Sequence, residues 1–378
     1  MNSPSGESAS PDDALKTVTF VDWSSTSSSG PTDGPEPRIE IGSYEQRYQI
    51  EKFVGAGGMG EVYRGRDRLL ARDIALKYIL PEHSADPTAC ARFWREALHS
   101  GGLGHPAIPP VHDVGLDSSG RPFYVMRLIR GTSLRGILDR TGEERWRVPR
   151  LLAVFVQVCG AVQFAHDAGT LHLDIKPENI MIGDHSDVYL VDWGLAESSD
   201  EVRHPAVLRG TPAYMSPEQV TGDAPVSSAT DIFALGALLY EIVMGRRAFV
   251  GQDTDRVLDR VVAVEFERGA AWERAAPELR KAIELALDRR PDRRTGQAGD
   301  LAAAVQEFLD GRAAERRNRR EARVLVETVR ERDLTRDRLR RDIERERSAL
   351  RSETPPSWAT PAAKESHWER LERIEEWQ

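Results

Sequence analysis

Three side chains of different chemistry lie close together in the stretch LHLDIKPEN. They are Asp174, Lys176 and Asn179, and Pro177 between them stiffens the backbone. A carboxylate can accept the proton of a hydroxyl group, an ammonium can neutralise charge that develops on a phosphoryl group, and an amide oxygen can bind Mg²⁺. This combination predicts a loop that assists phosphoryl transfer to a hydroxyl.

A further acidic residue follows at short range in the stretch VDWGLA. Asp192 ends an apolar, strand-like run, and Gly194 allows the chain to turn directly after it. A carboxylate in that place suits a hard divalent cation that bridges phosphates. The alternative for each acid, taken singly, is an ordinary solvated turn residue, so the interpretation depends on the rest of the chain.

A glycine-rich stretch, GAGGMGEV, precedes both motifs. Gly55, Gly57 and Gly60 have the G-x-G-x-x-G spacing of dinucleotide-binding folds and of phosphate-binding hairpins. A dinucleotide-binding fold needs a helix directly after the glycines, whereas EVYRGRD alternates like a strand. The pattern therefore favours a hairpin whose backbone N–H groups approach phosphate oxygens, and a plain structural turn stays open as the alternative.

A lysine closes the otherwise apolar strand IALK. Burial of the Lys77 ammonium would be costly without a partner, and Glu96 in the helical stretch ARFWREALHS offers one. We expect an ion pair between these two residues. The alternative is that Lys77 is a solvated strand end.

The elements that must position these residues change in type along the chain. Alternation in YQIEKFV, GEVYRGRD and DIALKYIL predicts an antiparallel meander, a helix follows, and RPFYVMRLI returns to strand. After Gly131 the periodicity is mostly helical, with short strand-like pieces between the helices. The sequence thus predicts an α+β fold with two lobes, a small β-rich N-lobe at 47–129 and a larger helical C-lobe at 130–310.

Both ends of the chain differ in composition from its centre. Residues 1–46 are rich in Ser, Pro, Gly and Asp, which predicts a disordered N-terminal arm. Residues 311–378 are rich in Arg and Glu, which predicts a charged helical tail whose residues 312–351 mediate self-association or partner docking. A solvated helix with no partner is the alternative, because the apolar positions follow a heptad only loosely.

The overall composition argues against several classes of protein. The chain has 52 Lys and Arg against 61 Asp and Glu, so we expect no nucleic-acid partner. Only Cys90 and Cys159 occur, which suggests a reducing, cytoplasmic location. We expect neither a signal peptide nor a membrane span, because the first residues are acidic and Pro-rich and the apolar stretch LLAVFVQVCGAVQFA is too short.

The order of these motifs resembles one family. The glycine-rich loop, Lys77, Glu96, His-x-Asp-x-Lys-x-x-Asn and Asp-x-Gly follow one another as in the eukaryotic-like Ser/Thr protein kinases of bacteria. The resemblance runs from about Tyr48 to Leu309 and implies a protein kinase catalytic domain at 47–310. It further implies that ATP and Mg²⁺ are used and that proteins are the substrates.

The resemblance also implies roles for individual residues. The implied catalytic residues are Asp174, Lys176, Lys77 and Glu96, and the implied metal ligands are Asn179 and Asp192. Met126 and the backbone from Arg127 to Ile129 would contact adenine. The implied nucleotide-binding set is Val54, Gly55, Ala56, Gly57, Gly58, Met59, Gly60, Val62, Ala75, Lys77, Met126, Arg127, Ile129 and Met181.

Family positions recur further along the chain. The stretch GTPAYMSPE resembles the end of an activation segment, and its Glu218 would pair with Arg294 of PDRR. Asp231 of DIFALG resembles an aspartate near the start of a central helix. Lys176 and Thr211 fit the Ser/Thr class of these kinases rather than the Tyr class.

Three residues depart from the usual family pattern. Leu173 replaces an arginine, Trp193 a phenylalanine and Ser216 an alanine. The arginine binds activation-loop phosphate and performs no chemistry, so we expect an active Ser/Thr kinase that does not depend on that phosphate. The alternative is a pseudokinase, an ATP-binding scaffold that acts through its tail. Scaffolds typically lack at least one member of a set that is complete here, namely Lys77, Glu96, Asp174, Asn179 and Asp192.

Overall fold

The structure, a computed structural model, describes residues 44–140, 147–199, 210–353 and 355–375. Of the predicted N-terminal arm at 1–46, residues 44–46 belong to the short helix α1 (Tyr44–Arg47), and the rest lies outside the described residues.

Five antiparallel strands form the sheet of the N-lobe, in the order β1-β2-β3-β5-β4. The first three are the predicted meander, and the β4–β5 hairpin extends it. In the register of β3 with β5, Lys77 lies opposite Tyr124. The strands are β1 (Tyr48–Ala56), β2 (Gly60–Asp67), β3 (Arg72–Ile79), β4 (Val111–Leu116) and β5 (Pro122–Arg127).

Helix α2 (Pro87–Gly102) packs against strands β4 and β5. Its start is well defined, because the Asp86 side chain accepts a hydrogen bond from the Thr88 N–H at 2.8 Å and a proline occupies the first turn. The inward face places Phe93, Glu96 and Ala97 against the sheet. A glutamate on this apolar face requires a partner on the sheet.

The C-lobe is built around two long helices, α4 (Val148–Asp167) and α6 (Ser228–Met244). All residues of α6 from Thr230 to Ile242 are buried. Its Gly236 permits close approach to α9 (Pro277–Ala286), since a Cβ there would lie 2.7 Å from the Cβ of Ala286. The two-lobed α+β architecture predicted from the sequence is confirmed. The other elements before the tail are β6 (Gly131–Ser133), α3 (Leu134–Leu138), β7 (Thr170–Leu171), β8 (Ile180–Gly183), β9 (Val188–Leu190), β10 (Glu197–Ser198), α5 (Pro217–Thr221), α7 (Thr254–Ala263), α8 (Ala270–Arg274) and α9 (Pro277–Ala286).

Helix α4 is long and apolar enough to cross a membrane, with 20 residues and a mean hydropathy of 1.6. The expectation that this stretch is too short was wrong, because the helix begins at Val148. Half of its apolar stretch is buried inside the C-lobe, where Phe155 and Val158 belong to the main core. Core helices of globular proteins pass the same test, so this length and composition are weak evidence for a span.

The charged tail continues the last helix of the C-lobe. Helix α10 (Ala298–Ser352) has 55 residues, and its first turns pack against α4 through the buried Leu301 and Val305. The predicted boundary at residues 310 and 311 falls inside this helix, because the neighbours of Gly311 are strong helix formers. Helix α11 (Pro361–Glu375) packs back on the far end of α10, where Leu350 is buried.

Candidate active site

The loop that carries Asp174 is held in an uncommon backbone conformation. Leu173 has φ of 63°, in the left-handed region that side chains other than glycine seldom adopt. The backbone N–H groups of His172 and Leu173 each donate to the Asp231 carboxylate at 2.8 Å. Burial alone would raise the pKa of Asp231, but a hydrogen bond from His166 and the neighbouring imidazoles hold it below its ordinary value. Asp231 therefore stays ionised and fixes the loop.

Three neighbours fix the Asp174 side chain. Lys176 Nζ lies 2.6 Å from Asp174 Oδ2, and the Asn179 amide donates to the same oxygen at 3.2 Å and to the Asp174 carbonyl at 2.9 Å. The Thr211 hydroxyl reaches Oδ1 at the longer distance of 3.4 Å. Oδ1 receives the weaker interaction, so it is the oxygen better able to accept a substrate hydroxyl.

The predicted ion pair between Lys77 and Glu96 is present. Lys77 Nζ lies 2.5 Å from Glu96 Oε1 and 3.8 Å from Asp192 Oδ1. Burial would lower the pKa of Lys77, but the negative charges of Glu96 and Asp192 raise it well above its ordinary value. Lys77 is therefore a permanent cation directed between helix α2 and the cleft.

Asp192 also has a left-handed backbone, with φ of 65°, and its side chain is 47% exposed toward the cleft. Burial alone would raise the pKa of Asp192, but the charges of Lys77, His172 and Lys176 outweigh it and lower the pKa. A Cβ on Gly194 would lie 3.2 Å from Asp192 Oδ1 and 3.4 Å from Glu96 Oε2, so the glycine keeps space between the two carboxylates.

Trp193 replaces the usual phenylalanine without loss of packing. Its ring is buried, lies 4.6 Å from the His172 ring between centroids, and donates through Nε1 to the Leu190 carbonyl at 3.3 Å. The indole therefore places a large aromatic group between the two motifs, within the core of the C-lobe.

The side chains of Asn179 and Asp192 offer oxygen atoms, the type of ligand that a magnesium ion prefers. Both Asn179 contacts to Asp174 use the amide nitrogen, which leaves the amide oxygen as the possible ligand atom. Across the part of the chain that the structure describes, no group of three or more His, Cys, Asp or Glu could hold a metal. Proteins commonly bind Mg²⁺ through one or two side chains, while phosphates and water supply the other ligands.

The glycine-rich loop joins β1 to β2, and only one of its glycines is required by the protein's own packing. A Cβ on Gly60 would lie 2.5 Å from the Tyr78 carbonyl oxygen, whereas nothing lies within 4 Å of a Cβ on Gly55, Gly57 or Gly58. None of these three has positive φ. The protein fold therefore does not account for them, and their open backbone is available to phosphate oxygens.

The residues expected to bind adenine lie on strands of both lobes and on the link that joins the lobes. Ala75 and Met126 are paired across β3 and β5, and Gly55 and Val62 across β1 and β2. Of the remaining positions, Val54 and Ala56 lie on β1, Arg127 ends β5, Ile129 lies on the link after β5, and Met181 lies on β8. The side chains of Met59 and Met126 both pack against the cluster beneath α2.

The stretch after Gly210 is tied to the catalytic loop. Gly210 has φ of 119°, which favours glycine, and the Thr211 hydroxyl accepts a hydrogen bond from Lys176 Nζ at 2.9 Å. The Gln219 amide donates to the Leu173 carbonyl at 3.1 Å. The backbone of Leu173 is thus held on both sides, although its side chain cannot bind a phosphate. Arg203 and Arg209, which could bind a loop phosphate, lie outside the described residues.

The predicted ion pair between Glu218 and Arg294 is present and buried. Two hydrogen bonds of 2.7 Å join the guanidinium to the carboxylate, and the side chains are 0% and 2% exposed. Burial alone would raise the pKa of Glu218, but the hydrogen bonds from Arg294 lower it below its ordinary value. The pair therefore connects α5 to the end of the C-lobe with both charges retained.

A polar network that the sequence did not reveal supports the same region. Arg135 on α3 donates to Glu178 at 3.0 Å, to the Tyr214 hydroxyl at 2.6 Å and to Glu241 at 2.8 Å, and Tyr214 also donates to Glu241. These residues are far apart in sequence, so only the fold brings them together. The network joins the catalytic loop to the stretch that follows Gly210.

The sequence profile of the protein kinase domain matches residues 48–308, more than half of the chain. Together with the fold and the site, this match shows that the chain belongs to the protein kinase domain family, and the resemblance to bacterial Ser/Thr kinases is confirmed.

Named relatives agree with this assignment. The chain is 34% identical over 282 residues to the serine/threonine-protein kinase PknB of Mycolicibacterium smegmatis, a match that covers 71% of this chain and 44% of PknB. It is also 34% identical over 282 residues to the serine/threonine-protein kinase PknA of Mycobacterium tuberculosis, covering 73% of this chain and 64% of PknA. The chain thus matches less than two thirds of either relative's length.

Proposed function

We propose that the chain transfers the γ-phosphoryl group of ATP to Ser or Thr hydroxyls of proteins, including its own. The observation that carries this proposal is the joint presence of two arrangements in one cleft. Asp174 is held by Lys176 and Asn179, and Lys77 is held by Glu96 within 3.8 Å of Asp192. Catalysis of this reaction depends mainly on positioning and on neutralised charge, which these contacts supply.

Each residue has a distinct part in this mechanism. Asp174 orients the acceptor hydroxyl and takes up its proton, while Lys176 lies beside it to offset negative charge. Lys77 contacts the phosphates, and Glu96 keeps its ammonium in place. Asn179 and Asp192 would hold Mg²⁺, which neutralises charge on the β- and γ-phosphate oxygens when it is bound.

We expect purified protein to phosphorylate itself on Ser or Thr when Mg²⁺ and labelled ATP are supplied. Lys77→Met should abolish the incorporation, because it removes the cation that positions the phosphates while it keeps much of the side-chain volume. Phosphoamino-acid analysis of the labelled protein reports the acceptor type. If wild type and Lys77→Met incorporate equally little label while ATP binds normally, the chain is a pseudokinase scaffold.

We expect activity without phosphate on the activation segment. The Leu173 side chain cannot form charge-assisted hydrogen bonds to a phosphate, and its backbone is already held by Asp231 and Gln219. Initial rates on a generic protein substrate should therefore stay within a few-fold after phosphatase treatment, and in the Ser198→Ala/Ser199→Ala variant. A hundredfold fall in either, reversed by rephosphorylation of the treated sample, would show that loop phosphate controls the enzyme.

We propose self-association as the role of residues 312–351. Leu325, Val329 and Leu339 are exposed on α10, and two arginines of this segment pair with aspartates on the same helix, Arg336 with Asp333 and Arg345 with Asp342. Apolar groups exposed along a helix favour a protein partner. The paired charges are consistent with the expectation that nucleic acid is not bound.

Light scattering should give a mass above that of the monomer for the full-length chain. The variant Leu325→Glu/Val329→Glu/Leu339→Glu should return the mass to that of a monomer, whereas Ser348→Glu, an added charge on another side of the helix, should not. Identical monomer masses for wild type and both variants would contradict self-association. Tight, salt-sensitive binding of DNA would contradict the expected absence of a nucleic-acid partner. The cytoplasmic location stays a proposal that rests on the two cysteines.

A further inference from the structure

Tyr124 contacts the Lys77–Glu96 pair from the central sheet. It lies opposite Lys77 in the register of β3 with β5, and its side chain is only 3% exposed. Its hydroxyl donates to Glu96 Oε1 at 2.7 Å, and Lys77 Nζ lies 5.9 Å from the centre of its ring. Lysine, glutamate and tyrosine therefore form one buried cluster.

The Glu96 carboxylate depends on few donors. Oε1 accepts from both Lys77 and Tyr124, whereas Oε2 is buried and accepts no hydrogen bond from any residue that the structure describes. Lys77 is shared with Asp192 and must also serve the phosphates of the nucleotide. Tyr124 has no second hydrogen-bonding duty among the described contacts, so it is the donor committed to Glu96 alone.

The tyrosine is held more rigidly than the lysine. Strand β5 lies between β3 and β4 in the sheet, and the ring packs 5.2 Å from Phe93 of α2 between centroids, within the cluster of Ile79, Ala89 and Ala97. A phenol on a central strand has two side-chain torsions, whereas a lysine has four. The Tyr124 hydroxyl therefore occupies a place set by the sheet.

We propose that Tyr124 is a positioning residue that anchors α2 to the sheet and thereby holds Glu96 in place for Lys77. The expected effect of Tyr124 on catalysis rests on the proposed kinase function, whereas its expected effect on α2 does not.

The first experiment follows α2 directly by amide hydrogen exchange in the wild-type protein and in Tyr124→Phe. Removal of the hydroxyl leaves Glu96 with one donor, so amides from Phe93 to Ser100 should exchange about tenfold faster, since hydrogen bonds to charged groups are among the stronger ones. Tyr48→Phe is the matched control. Its hydroxyl is also in the N-lobe sheet and donates to a carboxylate, Asp113, at 2.6 Å, but it lies away from α2.

The second experiment measures kcat/KM for ATP in the same variants. Tyr124→Phe should lower it about tenfold relative to wild type, and Tyr48→Phe should not. In a Glu96→Gln background, Tyr124→Phe should cost much less than it does in the wild type, because the residue acts through Glu96. A tyrosine that acts independently of Glu96 would give equal losses in both backgrounds, and one that only fills space would give no loss in either.

The outcomes distinguish the positioning role of Tyr124 from the proposed kinase function. Unchanged exchange in α2 of Tyr124→Phe, or equal acceleration in Tyr48→Phe, would overturn the positioning role whatever the activity. Faster exchange restricted to Tyr124→Phe, in a protein whose wild type is inactive, would support the anchor and refute the kinase function. If Tyr124→Phe does not fold, Tyr124→Met tests the same bond, because it also removes the hydroxyl and keeps an apolar side chain, and unchanged exchange in α2 would overturn the proposal.

Discussion

Replacement of Asp174 by asparagine should lower the rate of phosphoryl transfer by about 10²–10⁴-fold, the usual contribution of a general base. Asparagine keeps the shape of the side chain but cannot take up the hydroxyl proton, and it removes the negative charge that Lys176 contacts at 2.6 Å. Single-turnover rates with saturating ATP measure the effect on chemistry, and equilibrium titration with nucleotide should show affinity close to that of wild type.

The control for this experiment is Asp184→Asn, the same chemical change at an exposed turn residue of the C-lobe. It should leave the rate within twofold of wild type. A rate for Asp174→Asn within tenfold of wild type would contradict the assignment of Asp174 as the base.

Replacement of Arg294 by alanine should strongly destabilise the fold. Arg294→Ala leaves the Glu218 carboxylate buried without its charged partner, so we expect a loss of about 3–5 kcal/mol in the free energy of unfolding. Urea denaturation followed by circular dichroism measures it. Arg290→Ala removes an exposed pair with Asp292, which water screens, and should leave the denaturation midpoint close to that of the wild type.

The effect of Arg294→Ala should also depend on pH in a defined direction. In the wild type the pKa of Glu218 is lowered, so the pair stabilises the fold above the ordinary value of 4.5, and this contribution is lost as the pH falls through the lowered pKa. Without Arg294, burial raises the pKa instead, and the variant gains relative stability when the carboxylate is protonated. The stability difference should shrink between pH 7 and pH 5, and a constant difference would mean that charge on Glu218 is not the cause.

The residues that perform chemistry could be predicted because they lie in short motifs of fixed spacing. Asp174, Lys176 and Asn179 are close in space because they are close in sequence, and the Lys77–Glu96 pair followed from the cost of burying an ammonium. The strand-like alternation before Gly131 and the mostly helical periodicity after it then predicted the two lobes.

The supporting residues could not be predicted in the same way. Tyr124 stands in an apolar strand and reads as a core aromatic until the register places it opposite Lys77. Asp231 was noted from its motif, but its bonds to the backbone of His172 and Leu173 depend on how α6 meets the catalytic loop. Helix α4 begins before the apolar stretch because Pro149 fits the first turn of a helix. Helix α10 continues through Gly311 because the flanking residues are strong helix formers.

Helix α10 has a mechanical consequence for how partners reach the cleft. Its first turns are part of the C-lobe core, so the segment from Gly311 to Ser352 leaves the lobe in a fixed direction and extends about 60 Å at the helical rise of 1.5 Å per residue. A flexible linker would let a tethered partner sample many distances, whereas a stiff rod presents it at one. A partner bound near the far end of α10 is therefore selected by its size. Its acceptor hydroxyl must lie far enough from the bound part to reach Asp174.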